Sequence, residues 1–182
     1  LSLLGGKMFY STVDACSGYN QIGMTHDASV KAAIVCHRGL FRPTRMPFGL
    51  CNAGATFQRT MNVILSGLNW RICAVYMDDI IIFSNSYKQH KKDLAAVFGR
   101  LMEAGVSLKA SKCRFFRAQV EYLGHLVTRD GISPLPRNVK SIHEFARPTD
   151  VKGVQSFLGL CNYYRDYGKD FATIAHPLTQ PY

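Results

Sequence analysis

The run Val75-Tyr76-Met77-Asp78-Asp79-Ile80-Ile81-Ile82-Phe83 constrains this chain more than any other stretch. Two adjacent carboxylates interrupt an apolar segment, and a buried charge is costly unless it is paired or bound to metal. The simplest geometry is a tight hairpin: two strands anchored in a core, with Asp78 and Asp79 held at the tip. Such a hairpin presents fixed negative charge to a hard cation such as Mg²⁺. An ordinary surface turn, in which Asp is common, accounts for the same residues equally well.

Elsewhere the pattern alternates between strands and amphipathic helices. Residues 7–14 are rich in aromatic and β-branched types and predict a strand ending at Asp14, with a turn at Gly18. Val30 to Val35, with Gly39, predict a second hairpin, and Pro43, Pro47 and Gly49 then break regularity. Phe57, Met61, Ile64, Leu65 and Leu68 recur at helical spacing from Asn52, with Gln58, Arg59 and Asn62 opposite. Ser86-x-x-Gln89 has the form of a capping box before Leu94, Val97, Phe98, Leu101 and Met102. Val120 to Val127, Asp130-Gly131 and Ile132 predict a strand, a turn and a return. Beyond them Val139, Ile142 and Phe145 predict one short helix, and Val151, Val154, Leu158, Cys161 and Tyr164 another, capped by Asp150. A boundary is expected near 129–133, between a mixed domain and a small helical one. The order of elements predicts an α+β fold, an antiparallel sheet with helices on one face.

Composition narrows the partners. The formal net charge is +10, and between Lys88 and Arg117 eight Lys or Arg face only Asp93 and Glu103. A basic stripe of this density suits a polyanion, most often nucleic acid; a solvated helix face is the plainer reading. The six cysteines stand apart with no C-x-x-C pair, so zinc spacing is absent and reduced thiols in an intracellular setting are expected. No apolar run approaches the roughly 20 residues of a membrane span. Leu1 is not Met, and Leu3 to Lys7 reads like the interior of a longer protein.

Three segments taken together resemble a known family. Phe9-Tyr10-Ser11-Thr12-Val13-Asp14-Ala15-Cys16-Ser17-Gly18-Tyr19-Asn20-Gln21-Ile22 resembles the first palm motif of reverse transcriptases. Met46-Pro47-Phe48-Gly49-Leu50-Cys51-Asn52-Ala53-Gly54-Ala55-Thr56-Phe57-Gln58 resembles the second, and Tyr76-Met77-Asp78-Asp79 the third. Lys112-Cys113-Arg114-Phe115, Val120-Glu121-Tyr122-Leu123-Gly124-His125 and Phe157 to Arg165 continue the match in the family's order. The wording is most similar to gypsy-type long-terminal-repeat retrotransposons, relatives of retroviral polymerases.

The resemblance implies a polymerase palm over 1–21 and 52–130, partial fingers over 22–51, and a small helical thumb with the start of a connection over 131–182. It implies that Asp14 lies beside the Asp78-Asp79 hairpin, with all three as catalytic metal ligands for two Mg²⁺, or for Mn²⁺. It implies an RNA-directed DNA polymerase that adds dNTPs to a primer 3′-hydroxyl on an RNA or DNA template. Tyr19 then matches the gate that excludes a ribose 2′-hydroxyl, Phe48 lies by the nucleotide sugar, and Lys112 lies near the triphosphate, with Lys109 as a rival. Tyr122, Leu123 and Gly124 match the primer grip. Gly54 stands where the family usually has Pro, and Arg42 where an acidic residue is common. The early finger strands, RNase H and integrase segments of a parent polyprotein are absent from this sequence. The family's usual setting is a cytoplasmic particle, with the nucleus as the second place. A retroelement relic that only binds nucleic acid is the alternative. A metal-dependent nuclease shares the acidic cluster but leaves Tyr19 and the second motif unexplained.

Overall fold

The computed structural model describes residues 2–179. In chain order the first elements are β1 (Phe9–Asp14), α1 (His26–Lys31), β2 (Ile34–Cys36), β3 (Gly39–Phe41) and α2 (Ala53–Ile64). The middle is built from β4 (Cys73–Tyr76), β5 (Asp79–Ser84), α3 (Tyr87–Glu103) and β6 (Arg114–Arg117). Then come β7 (Val120–Tyr122), β8 (His125–Thr128), β9 (Gly131–Pro134), α4 (Pro136–His143), α5 (Val151–Asn162) and α6 (Phe171–Thr179).

The central sheet has the order β4-β5-β1-β6. β1 runs antiparallel to β5 in a register from Phe9↔Ser84 to Asp14↔Asp79, and β5 returns antiparallel along β4. Because side chains alternate across a strand, Ile80 and Ile82 point to one face and Ile81 and Phe83 to the other. On the first face Val13, Ile80 and Ile82 pack with Phe57 and Met61 of α2 and Leu94, Val97 and Leu101 of α3. On the second, Tyr10, Ala74, Ile81 and Phe83 pack with Val120, Tyr122 and Val127 of a three-stranded sheet, β7-β8-β9. The expected α+β fold with helices on one face is therefore present, and a second sheet covers the other. That double coverage explains why residues 80–83 are continuously apolar instead of alternating. Each fully buried Ile contributes about 1.5–3 kcal/mol.

Three parts depart from the sequence reading. The strand expected over 120–127 is a hairpin, β7 and β8, folded at Leu123-Gly124. Gly131–Pro134, where a boundary is expected, pairs with His125–Thr128 as part of the second sheet. Two helices, α1 and α6, had no predicted counterpart. The expected hairpin forms only over Ile34–Phe41, as β2 and β3, because Val30 lies in α1, and its Ile34, Val35, Leu40 and Phe41 are exposed. Ser86 caps α3 by accepting from the Gln89 N–H at 3.2 Å, while the Gln89 side chain reaches forward to Asp93 instead of closing the box.

One polar cluster is buried between α3 and the sheet. His90 Nε2 lies 2.7 Å from Ser11 Oγ and Nδ1 lies 2.9 Å from Ser84 Oγ, which also donates to Asp93 Oδ2 at 2.5 Å. Gln89 donates to the other Asp93 oxygen at 2.7 Å. Burial holds the His90 pKa below its ordinary value, against the pull of Asp93. The unfolded chain therefore binds a proton first as pH falls, and the fold loses stability below about pH 6.5, down to the folded value. His90→Ala leaves Ser11 and Ser84 without this partner and is expected to cost about 2–3 kcal/mol. Urea unfolding at pH 7.5 and 5.5 checks both: the wild type weakens at the lower pH, and the variant is weaker at pH 7.5 but less pH-sensitive.

Candidate active site

The end of β1 and the β4-β5 turn form the site. Tyr76 pairs with Asp79, so the turn residues are Met77 and Asp78, and Asp79 is the first residue of β5. Sheet register sets Asp14 opposite Asp79, and the Ala15 N–H donates to the Asp78 carbonyl at 3.1 Å. Two carboxylates 64 positions apart or more in sequence are thus fastened together by backbone pairing and not by side-chain chance.

Met77 has φ 53°, a left-handed conformation that L residues other than Gly, Asn and Asp rarely adopt. Gln58 of α2 secures the turn: its Oε1 accepts from the Met77 N–H at 2.7 Å, and its Nε2 donates to the Val75 carbonyl at 3.2 Å. Gln58 closes the second motif and lies on the polar side of its helix, but neither fact gives it this part. Its part depends on α2 lying under the hairpin, which periodicity does not specify. Sequence alone gives Gly18 a turn within the first motif. A Cβ there would lie 2.3 Å from Asp78 Oδ1 and 2.7 Å from Phe57 Cζ, so the absent side chain is what makes room for the carboxylate.

The electrostatics are those of crowded anions. Burial raises the Asp78 pKa first, then repulsion from Asp14 and Asp79, with Lys112 opposing. Asp79 is raised by burial and by Asp14, again opposed by Lys112. Lys112 Nζ donates to Asp14 Oδ2 at 2.9 Å, and that bond raises the lysine's own pKa. Of the two candidate lysines it is Lys112 whose ammonium reaches the site; Lys109 contributes its backbone N–H to the Asp14 carbonyl at 2.9 Å. Asp78 Oδ1 is buried with no hydrogen-bond partner.

Among the described residues, no three His, Cys, Asp or Glu side chains stand close enough to enclose an ion as they are. The donor set nonetheless fits a hard divalent cation. It is all oxygen, it includes a buried oxygen without a donor, and its charges repel one another.

Around the carboxylates the other expected residues divide into two groups. Tyr19 is half-buried, with its ring 5.4 Å from that of Phe48 and 5.7 Å from that of Phe57; Phe48 is largely exposed. Gly54, on α2, faces Met77: a Cβ there would lie 3.0 Å from Met77 Cε, and 3.5 Å from the Tyr19 hydroxyl. Tyr122, Leu123 and Gly124 line a cleft of about 780 Å³ together with Asp14, Asp79 and Lys112. Arg114, Arg117 and Arg137 line the same cleft, with Arg137 ion-paired to Glu121 of that lining at 2.6 Å. Tyr122 donates to the Asp79 carbonyl at 3.4 Å, which links this group to the hairpin. Among the described residues, no helix is long and apolar enough to cross a membrane.

Comparison with known proteins places this arrangement. Residues 1–127 match the family model described as reverse transcriptase (RNA-dependent DNA polymerase). The retrovirus-related Pol polyprotein from transposon 297 of Drosophila melanogaster is 44% identical over 98% of this chain, which spans 17% of that polyprotein. The corresponding polyprotein from transposon gypsy, also of Drosophila melanogaster, is 41% identical over 98% of the chain and is likewise spanned over 17% of its length. Among solved structures, a foamy viral protease-reverse transcriptase in complex with double-stranded DNA superposes with a TM-score of 0.87 at 29% identity. That match covers 94% of this chain and 30% of the viral one. The same kind of protein in complex with an RNA/DNA hybrid gives a TM-score of 0.84 at 29% identity, over 95% of this chain and 23% of the other. Motifs, sheet topology and family match agree: the chain belongs to the reverse transcriptase (RNA-dependent DNA polymerase) family.

Proposed function

We propose that this chain is the nucleotide-adding core of an RNA-directed DNA polymerase, joining dNTPs to a primer 3′-hydroxyl on an RNA or DNA template. The observation that carries this is the register that fixes Asp14 against the Asp78-Asp79 turn. Asp14 and Asp78, supported by Asp79, would hold two Mg²⁺, with Mn²⁺ as a substitute. When bound, such ions activate the attacking hydroxyl and neutralise charge on the departing pyrophosphate. Lys112, already beside Asp14, is placed to give positive charge or a proton to a triphosphate there. Tyr19, backed by Phe57, offers an aromatic floor under the incoming sugar that leaves no room for a 2′-hydroxyl, with Phe48 beside it.

Tyr122, Leu123 and Gly124 line the same cleft as Asp14 and Asp79 and serve as the primer grip. Arg114 and Arg117 meet the phosphate backbone, which fixes position without reading sequence. We assign 1–21 and 52–134 to the palm, 22–51 to partial fingers and the helices from Pro136 to a thumb. The setting, by analogy with long-terminal-repeat elements, is a cytoplasmic particle.

The test is primer extension by a polyprotein segment carrying this chain, on oligo-dT-primed poly-rA with Mg²⁺ and dTTP. Extension supports the assignment. Salt-dependent duplex binding with no nucleotide added favours a binding-only relic. In the active case Tyr19→Val is expected to raise ribonucleotide incorporation relative to deoxynucleotide by about 100-fold, a difference of about 2.7 kcal/mol. Unchanged sugar discrimination removes Tyr19 from the gating role.

A further inference from the structure

The β7-β8 turn is a strained structure held from outside. Tyr122 pairs with His125, so the turn has only two residues, Leu123 at φ 45° and Gly124 at φ 71°. Both lie in the left-handed region, which suits a two-residue hairpin but costs a residue with a side chain about 1 kcal/mol or more. A Cβ on Gly124 would lie 3.1 Å from Tyr163 Cε1 and 3.3 Å from the Tyr164 hydroxyl, so a side chain there would be crowded as well as strained in backbone angle.

The two outward carbonyls of this turn are each captured by the end of α5. Tyr163 donates its hydroxyl to the Leu123 carbonyl at 2.6 Å, and Tyr164 donates to the Gly124 carbonyl at 2.7 Å. Asn138 of α4 donates to the Tyr164 hydroxyl at 2.6 Å, and His125 Nδ1 donates to the Leu123 carbonyl at 2.6 Å. The His125 ring packs against Tyr163, Tyr164 and Tyr167 at centroid distances of 5.5, 5.5 and 5.7 Å. Meanwhile α4, α5 and α6 carry no buried residue of their own. A segment with so little buried surface lies at the low end of local stability, and it is attached by these bonds together with the Arg137–Glu121 ion pair between α4 and β7 at 2.6 Å.

We propose that Tyr163 and Tyr164 are positioning residues: they latch the helical segment onto the Leu123-Gly124 turn, so that docking of that segment sets where a primer end is held. The consequence for the primer rests on the primer-grip reading above; the latch itself does not. Tyr122, adjoining the turn, reaches the Asp79 carbonyl, so the latch is continuous with the carboxylate hairpin through one side chain. The phenol rings could serve as packing alone, and the hydroxyls separate the two roles.

The test uses the 182-residue chain with Tyr163→Phe and the double Tyr163→Phe/Tyr164→Phe, which keep the rings. Amide hydrogen exchange at residues 122–126 is expected to quicken about 10-fold in the double variant and less in the single, with β1 and β5 unchanged. Affinity for a duplex with a recessed 3′ end is expected to fall about 5-fold, with that for a blunt duplex unchanged. The slope of log Kd against log salt is expected to stay constant, because no phosphate contact is lost. Unchanged exchange overturns the latch, even if binding weakens. Faster exchange with recessed-end affinity intact overturns its link to the primer. A wild-type chain that does not distinguish recessed from blunt ends counts against the primer-grip reading, and exchange then decides the latch alone. Should the double variant not fold, Tyr163→Phe, at an exposed ring, carries the same comparisons.

Discussion

Asp78→Asn is expected to abolish nucleotide addition, by about a thousand-fold or more, while raising the melting temperature of the ion-free chain. The first effect follows from the loss of a charged oxygen donor to the ions, since about 4 kcal/mol of charge stabilisation corresponds to three orders of magnitude. The second follows from the cost of the ionised side chain in this place. Asp78 Oδ1 is buried without a partner, and burial plus repulsion from Asp14 and Asp79 raises the carboxyl pKa. A raised folded pKa means that the group's favourable contribution is present below about pH 3.8 and is lost as pH rises through the folded value. At neutral pH the ionised carboxylate therefore opposes folding, and an uncharged amide does not. Added Mg²⁺ with dTTP should stabilise the wild type and leave the variant nearly unmoved. A variant less stable than the wild type, or one that still extends a primer, contradicts this account of the site.

Gly18→Ala is expected to lower activity by at least 100-fold through the same carboxylate, but with the opposite effect on stability. The added methyl would overlap Asp78 Oδ1 and the ring of Phe57, which is 2% exposed. Overpacking of this kind costs about 1–3 kcal/mol, or roughly 2–10 °C in melting temperature for a chain of this size. The pair of variants is informative together: both inactive, one more stable and one less. Wild-type extension by Gly18→Ala would mean that the Asp78 side chain does not act from the position against Gly18.

Much of this site was legible because its chemistry contradicts its surroundings. Two aspartates inside an apolar run mark a hairpin tip, and the strand ending at Asp14 carries its β-branched residues openly. Cap signals were equally local: Ser86 and Asp150 both cap helices, Asp150 through the Gly153 N–H at 2.7 Å. What stayed hidden depends on packing between distant segments. Gln58 looks like any polar residue on a helix until the hairpin rests on it. The buried His90 cluster joins residues of β1, β5 and α3, so no window of sequence contains it.

The missed hairpin has a different cause. Its turn is Leu123-Gly124, and Leu gives none of the Asn-Gly or Asp-Gly signal on which two-residue turns are recognised. Outside support from Tyr163 and Tyr164 replaces that intrinsic preference. Pro134 belongs to β9, an edge strand, where proline is tolerated.

The central claim is that two segments far apart in sequence share one set of ions. Mn²⁺ titrated into the isotope-labelled chain with dTTP, followed by paramagnetic broadening of amide resonances, tests it most directly. Residues 13–15 and 77–80 are expected to broaden together at the lowest Mn²⁺ additions, and to stop doing so in Asp78→Asn. Broadening confined to one of the two segments, or centred elsewhere on the molecule, would contradict the shared site.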